Sequence, residues 1–156
     1  MKLALGTMAL LLGAVLILPA TAAAKARTVR VTLTCTGLAA PIDVTDGPLL
    51  AFPVGPWGGR FADTSRSTIA PPADVPGLCE MAFYSEMPNK GARLSYVAFY
   101  HYRADGSPGY ISLPGPSDPW YALNQGIIIR AERDGRWSYA AADWERVIRT
   151  LIARAA

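Results

Sequence analysis

The strict alternation of residue types between Thr28 and Cys35 constrains the fold more than any other feature of the sequence. Apolar side chains at Val29, Val31 and Leu33 are separated by threonines and an arginine. Because successive side chains of a β-strand point to opposite sides, this pattern predicts a strand with one buried and one solvent-facing side. The chain must therefore form a sheet whose apolar side is covered by a second layer of structure.

The first 24 residues predict a cleavable signal peptide. Lys2 gives a positively charged start, residues 3–18 are uncharged and mostly apolar, and Pro19 and a run of small residues follow. These are the parts of a signal peptidase substrate. The apolar run of about 16 residues is near the lower limit for a permanent span across a ~30 Å hydrocarbon layer, so a retained anchor is the weaker alternative. We expect an exported protein, periplasmic or extracellular, with no permanent membrane span after cleavage.

The two cysteines, Cys35 and Cys79, predict a disulfide bond. An even number of cysteines in an exported domain is typical of a structural bridge. One alternative is a thiol nucleophile, which needs a nearby base in a chain that has a single histidine. The other is a metal site, which needs four ligands and for which the sequence offers no C-x-x-C motif. Closing this loop would stabilise the fold by about 4 kcal/mol on the loop-closure estimate.

Most of the remaining chain predicts short strands joined by turns. The predicted strands cover residues 42–45, 79–85, 94–103, 110–113, 127–133 and 136–140. Asp134-Gly135 is a hairpin turn signal, and a two-residue turn there would place Arg130 opposite Tyr139. Residues 48–76 combine many prolines and glycines with large apolar side chains. This segment predicts an ordered covering loop, with no long helix and no central strand.

Two helices are also predicted. Apolar residues near the C-terminus recur with the spacing of an amphipathic helix that packs on the sheet: Trp144, Val147, Ile148, Leu151 and Ile152. Glu145 and Arg149 can pair one turn apart on this helix. Asp118 followed by Pro119 predicts the start of a short helix that runs to residue 125. The predicted fold class is α+β, a mainly antiparallel sheet built of hairpins with the C-terminal helix packed on it and one disulfide, in a single domain over residues 25–156.

The sequence shows no motif for nucleic acid, cofactor or metal binding. The formal net charge is +3 and the arginines are spread along the chain, so we do not expect nucleic acid as a partner. Residues 55–60 contain glycines and an arginine, but they lack the strand–loop–helix context of a phosphate-binding loop. We therefore expect no cofactor and no metal.

His101 is the single histidine and lies within the strand predicted at residues 94–103. It could act as the base of a small hydrolase, but no G-x-S-x-G motif accompanies it. The pattern favours a hydrogen-bonded histidine of the sheet, on the same side as Val97 and Phe99 if the strand is regular.

Aromatic residues beside prolines and glycines are the candidate binding residues: Trp57, Tyr110, Trp120 and Tyr121. Rings held on stiff loops can bind a sugar face, a peptide or a protein at low entropic cost. The alternative is that they fold inward as lids over the core. The function we expect is an exported, non-enzymatic binding module that recognises an envelope protein or a glycan. A secreted protein inhibitor and a small hydrolase that uses His101 are the alternatives.

N-terminal sequencing of the released protein is expected to find a mature start between Ala23 and Arg27. Both Ala22-Ala23-Ala24 and Ala24-Lys25-Ala26 fit the small-residue cleavage rule. An intact Met1 on the released product would contradict the predicted signal peptide.

Overall fold

The computed structural model describes residues 27–45, 50, 61–68, 77–87, 89–125 and 135–156. The signal peptide predicted at residues 1–24, Trp57 and the strand predicted at residues 127–133 lie outside the described residues. The elements are, in chain order, β1 (Thr28–Cys35), β2 (Ile42–Val44), β3 (Ala62–Thr68), β4 (Gly77–Met87), β5 (Gly91–Tyr102), β6 (Tyr110–Ser112), α1 (Tyr121–Gln125), β7 (Trp137–Ala140) and α2 (Ala142–Ala155).

The strands of the described residues form one antiparallel sheet of seven, in the order β2-β1-β4-β5-β6-β7-β3. The long hairpin of β4 and β5 lies at its centre and pairs from Gly77–Tyr102 to Met87–Gly91. α2 packs its apolar stripe against the core residues of this sheet. The predicted α+β fold is therefore confirmed, with its antiparallel sheet and its C-terminal helix.

One sequence prediction about the sheet was wrong. The segment predicted as a covering loop contains β3, which pairs with β7. β3 is polar and lacks apolar alternation because it is the outermost strand at one edge of the sheet. Tyr139 pairs with Tyr110 on one side and with Asp63 on the other. Arg130, its predicted hairpin partner, lies outside the described residues.

The side of the sheet that faces α2 carries the hydrophobic core. Alternate residues of four strands point to this side and are buried: Val31, Leu33, Cys79, Met81, Phe83, Tyr96, Ala98, Tyr100 and Ile111. From α2, Trp144 and Ile148 are buried against them. Trp144 meets Tyr100 edge to face with 5.2 Å between ring centroids, a favoured geometry for aromatic pairs. The amphipathic pattern read from the sequence is therefore the one that the helix buries.

The predicted disulfide joins the first strand to the middle of the sheet. Cys35 and Cys79 are direct partners in the β1–β4 pairing, with 3.9 Å between their Cα atoms and a bond between their sulfur atoms. Cys79 is fully buried. The bridge fixes the register of β1 and reduces the entropy of the unfolded chain.

Asn124 of α1 completes the hydrogen bonding of β5. β6 pairs with β5 only at residues 99–101, so Val97 lies beyond the end of β6. The Val97 amide donates to Asn124 Oδ1 at 2.9 Å, and Asn124 Nδ2 donates to the Val97 carbonyl at 2.5 Å. The side-chain amide thus replaces a neighbouring strand at a fully buried position. α1 itself begins at Tyr121 rather than at Pro119, and the Asp118 carboxylate accepts from the Gly115 amide.

Replacing Asn124 with leucine is expected to lower the free energy of unfolding by about 2–4 kcal/mol, because it leaves the buried amide and carbonyl of Val97 unpaired. Urea denaturation followed by tryptophan fluorescence measures this change. The matched control is Gln125→Leu, which alters the exposed neighbour on the same helix and should change stability by less than about 0.5 kcal/mol. Equal stability of the two variants would contradict the role assigned to Asn124.

Candidate functional site

The three predicted binding residues that the structure describes, Tyr110, Trp120 and Tyr121, lie in different environments. Tyr110 is only 5% exposed and belongs to β6. Trp120 is partly exposed, and its Nε1 donates to Glu80 Oε2 at 2.8 Å. Tyr121 packs against the hydrophobic core. Trp57 lies outside the described residues. A binding role for these four residues stays a prediction.

The side of the sheet opposite α2 carries five adjacent rings, which we call the aromatic face: Phe99, His101, Tyr110, Trp137 and Tyr139. The register places them on one side, because paired residues of neighbouring strands share a side. Centroids of neighbouring rings lie 4.0–6.4 Å apart. Tyr110 is buried and the other four are partly exposed. One predicted residue, Tyr110, thus belongs to a larger aromatic surface.

His101 lies within the aromatic face and shares a hydrogen bond with Ser112. Its Nε2 is 2.8 Å from Ser112 Oγ. The Trp137 ring, from two strands away, packs against the imidazole with 4.0 Å between centroids. Ser112 pairs with Trp137, and its side chain is buried. Burial lowers the pKa of His101 from 6.5 to about 4, so the imidazole is neutral at neutral pH.

This geometry weakens the case for a hydrolase that uses His101. A Ser–His hydrogen bond is one part of a nucleophilic site. A general base, however, works best when its pKa is near the operating pH, and the pKa of His101 is about 4. Within the described residues, its hydrogen bond goes to Ser112 and no carboxylate orients the ring. The arrangement favours a hydrogen-bonded histidine of the sheet, and the side on which it lies with Phe99 is the predicted one.

Positive charge and an exposed apolar side chain border the aromatic face. The guanidinium carbon of Arg66 lies 3.9 Å from the centroid of the Tyr139 ring, a cation–π contact. Asp63 pairs with this same tyrosine from β3, so a carboxylate lies beside the guanidinium. From β4, Leu78 pairs with His101 and is 39% exposed, and Glu80 pairs with Phe99. The border of this surface therefore carries both charges at the β7–β3 end, and an apolar side chain and a carboxylate at the β4 end.

Glu145 is a buried carboxylate whose role the sequence did not indicate. Its side chain is 9% exposed. Oε1 accepts hydrogen bonds from Tyr100 Oη at 2.7 Å and from the Gly109 amide at 2.8 Å. Arg149 Nε and Nη2 donate to the same oxygen at 3.0 and 2.8 Å. The spacing of Glu145 and Arg149 predicted this pair, but only the fold shows that it is buried between the helix and the sheet.

The residues around Glu145 pack closely against its side chain. A Cβ atom at Gly109 would lie 2.6 Å from the His101 carbonyl oxygen and 2.9 Å from Glu145 Oε1, so this position requires glycine. Burial, and then the hydrogen bond to Glu145, raise the pKa of Tyr100, which keeps its hydroxyl a donor. Arg149 also donates to the Arg103 carbonyl, at one end of the β5–β6 turn.

A cleft of about 480 Å³ opens between β3, the end of β7 and the start of α2. Glu145, Asp63 and Ala142 line it, together with Tyr139 and Arg66. Tyr139 also belongs to the aromatic face, and Arg66 borders that face. The cleft and the aromatic face are therefore adjacent and share a wall.

Neither a similar known protein nor a metal-binding group indicates a function for the aromatic face or the cleft. The chain matches no protein-family model, no curated protein and no solved structure. Among the described residues, no group of three or more His, Cys, Asp or Glu side chains could hold a metal ion. No helix in the described part of the chain is long and apolar enough to cross a bilayer.

The low pKa of His101 predicts a loss of stability in acid. Below pH 6.5 the unfolded chain binds a proton that the folded chain excludes until about pH 4, so the free energy of unfolding falls across this window as the pH decreases. For this partly exposed ring we expect a loss of about 2 kcal/mol.

Urea denaturation of the wild type and of His101→Phe between pH 7 and pH 4 isolates this contribution, because carboxylates titrate in both proteins. The wild type should lose more stability than the variant. Parallel stability–pH curves would show that the pKa of His101 is not lowered in the folded protein.

Proposed function

We propose that this chain is an exported, non-enzymatic binding module that recognises a protein partner through the aromatic face. The observation that carries the proposal is the continuous set of five rings on the side of the sheet that α2 does not cover. A side used only for solubility would be expected to carry charged and polar residues in alternation with the core. Here four of the rings retain exposed surface.

The composition of this surface supports recognition of a protein. Tryptophan, tyrosine and arginine are the residue types enriched at the energetic centres of protein interfaces. Trp137, Tyr139 and Arg66 supply all three types within adjacent strands. Because the rings pack on one another and on the sheet, they lose little side-chain entropy when a partner binds.

The ring orientations favour a protein over a glycan as the ligand of the aromatic face. A sugar ring packs best on an exposed and flat ring face. His101 and Trp137 cover part of each other, and Arg66 lies over Tyr139. Neighbouring rings are tilted by 34–66°, which gives an uneven surface that side chains of a protein can interdigitate with.

The border of the aromatic face indicates the charge of the partner. Arg66 is exposed at the β7–β3 end, and Leu78 offers apolar surface at the β4 end. We expect a partner surface with an apolar centre and an acidic residue that meets Arg66, because complementary charge guides association. A protein inhibitor is the special case in which the partner is an enzyme.

Export is supported by the predicted signal peptide and by the disulfide. Disulfides form and persist in oxidising compartments, and the Cys35–Cys79 bond is compatible with them. The residence we propose is the periplasm or the extracellular space.

Charge changes on the border are expected to weaken binding without unfolding the protein. Arg66→Glu and Leu78→Glu should each reduce partner binding by about thirtyfold, equivalent to about 2 kcal/mol. Both side chains are exposed, so the free energy of unfolding should change by less than about 1 kcal/mol. The matched control is Arg146→Glu, the same charge reversal on the exposed part of α2.

The experiment incubates the immobilised mature protein with envelope and secreted proteins of the source cells, and with insoluble wall polysaccharide. Quantitative mass spectrometry compares the proteins bound by the wild type and the three variants. A protein retained by the wild type and Arg146→Glu but lost from the other two supports the proposal. Equal retention by all four proteins, or retention by polysaccharide alone, contradicts it.

A further inference from the structure

The cleft beside the aromatic face has polar groups that the proposed protein interface does not use. It measures about 480 Å³, within the range of about 300–1,000 Å³ typical of small-molecule sites. Its walls come from β3, the Pro108 turn and the start of α2, which includes Glu145. Alanines at positions 62, 140, 141 and 142 keep the walls small and apolar.

Glu145 is held in a fixed orientation with one oxygen committed to the fold. All four of its hydrogen bonds from Tyr100, Gly109 and Arg149 go to Oε1. No hydrogen bond from the described residues reaches Oε2, although the side chain is nine-tenths buried. Oε2 is not one of the fully buried side-chain atoms without a partner, so it keeps contact with solvent. Because Glu145 lines the cleft, Oε2 is an acceptor available to a donor that enters it.

Hydrogen-bond donors stand on the other walls of the same cleft. Arg66 is exposed, and its cation–π contact with Tyr139 leaves its N–H groups directed along the plane of the guanidinium. α2 begins at Ala142 without a side-chain cap, so its first amide has no intrahelical acceptor. The cleft therefore presents one fixed acceptor and separate donors between apolar walls.

We propose that this cleft binds a neutral saccharide unit. Each sugar hydroxyl can donate and accept, which matches Glu145 Oε2 on one wall and Arg66 on the other. The C–H groups of a pyranose suit the alanine and proline walls. The cleft adjoins the proposed protein interface, and the two share Arg66 and Tyr139.

Charged ligands fit this arrangement less well. An anion would be attracted by Arg66 but would meet the carboxylates of Asp63 and Glu145. A cation would meet Arg66, and Glu145 already has Arg149 as its counter-ion at 2.8 Å. A neutral ligand with many hydroxyl groups avoids both repulsions.

The test is an NMR titration of the ¹⁵N-labelled mature protein with D-glucose, D-galactose and N-acetyl-D-glucosamine. Acetate and methylguanidinium serve as charged comparators. At least one sugar is expected to shift the amides of Gly109 and Ala142 saturably, with a Kd in the range of about 1–10 mM. Arg66→Gln should weaken this binding about tenfold through the loss of charge-assisted donors.

Ala142→Phe fills the cleft from an exposed position and should abolish the sugar-induced shifts, whereas Ala153→Phe, at the exposed far end of α2, should retain them. Leu78→Glu should also retain them, since it alters only the protein interface. No saturable shift with any of the three sugars, tighter binding of a charged comparator at the same amides, or unchanged binding by a folded Ala142→Phe overturns the proposal. Sugar binding and protein capture can therefore succeed or fail independently.

Discussion

The arrangement of sheet, turn and helix depends on the hydrogen bonds of the Glu145 carboxylate. Its Oε1 joins three parts of the chain that are distant in sequence, through Tyr100 on β5, the Gly109 amide after the β5–β6 turn, and Arg149 on α2. A buried carboxylate with one partner removed costs several kcal/mol, so these donors must remain in place together. This requirement fixes where α2 crosses the sheet, and the start of α2 forms one wall of the cleft.

The two sides of the sheet differ in burial because α2 packs on only one of them. On the covered side, Tyr100 and Trp144 pack against each other within the hydrophobic core. On the other side, the aromatic face is packed ring against ring, and Ser112 is small enough for His101 and Trp137 to approach each other above β6. The same aromatic types therefore stabilise one side as core and leave partly exposed rings on the other. That asymmetry is the physical basis of the protein-binding role that we propose for the aromatic face.

Much of the fold could be predicted from local patterns, whereas little of the candidate site could. Alternation in β1 and the apolar stripe of α2 each mark one buried side. The aromatic and β-branched residues of β5 mark a strand that is buried on both sides at its centre. β3 gave no such signal, since an edge strand with polar residues has the composition of a loop. The sequence predicts that Trp137 and Tyr139 lie in a strand. Their membership in the aromatic face depends on the position of β7 between β6 and β3.

By itself, the sequence determined the elements and the covalent constraint: the alternating first strand, the amphipathic last helix, and two cysteines that pair as Cys35–Cys79. These follow from periodicity and residue chemistry, which act within a few neighbouring residues or through a single possible pair. Only the tertiary structure decided that Glu145 is buried, that His101 meets Ser112, and that Arg66 lies over Tyr139. Each of these contacts joins residues on different strands or on helix and sheet. Their burial and hydrogen bonding depend on which strands become neighbours, and local sequence does not specify that order.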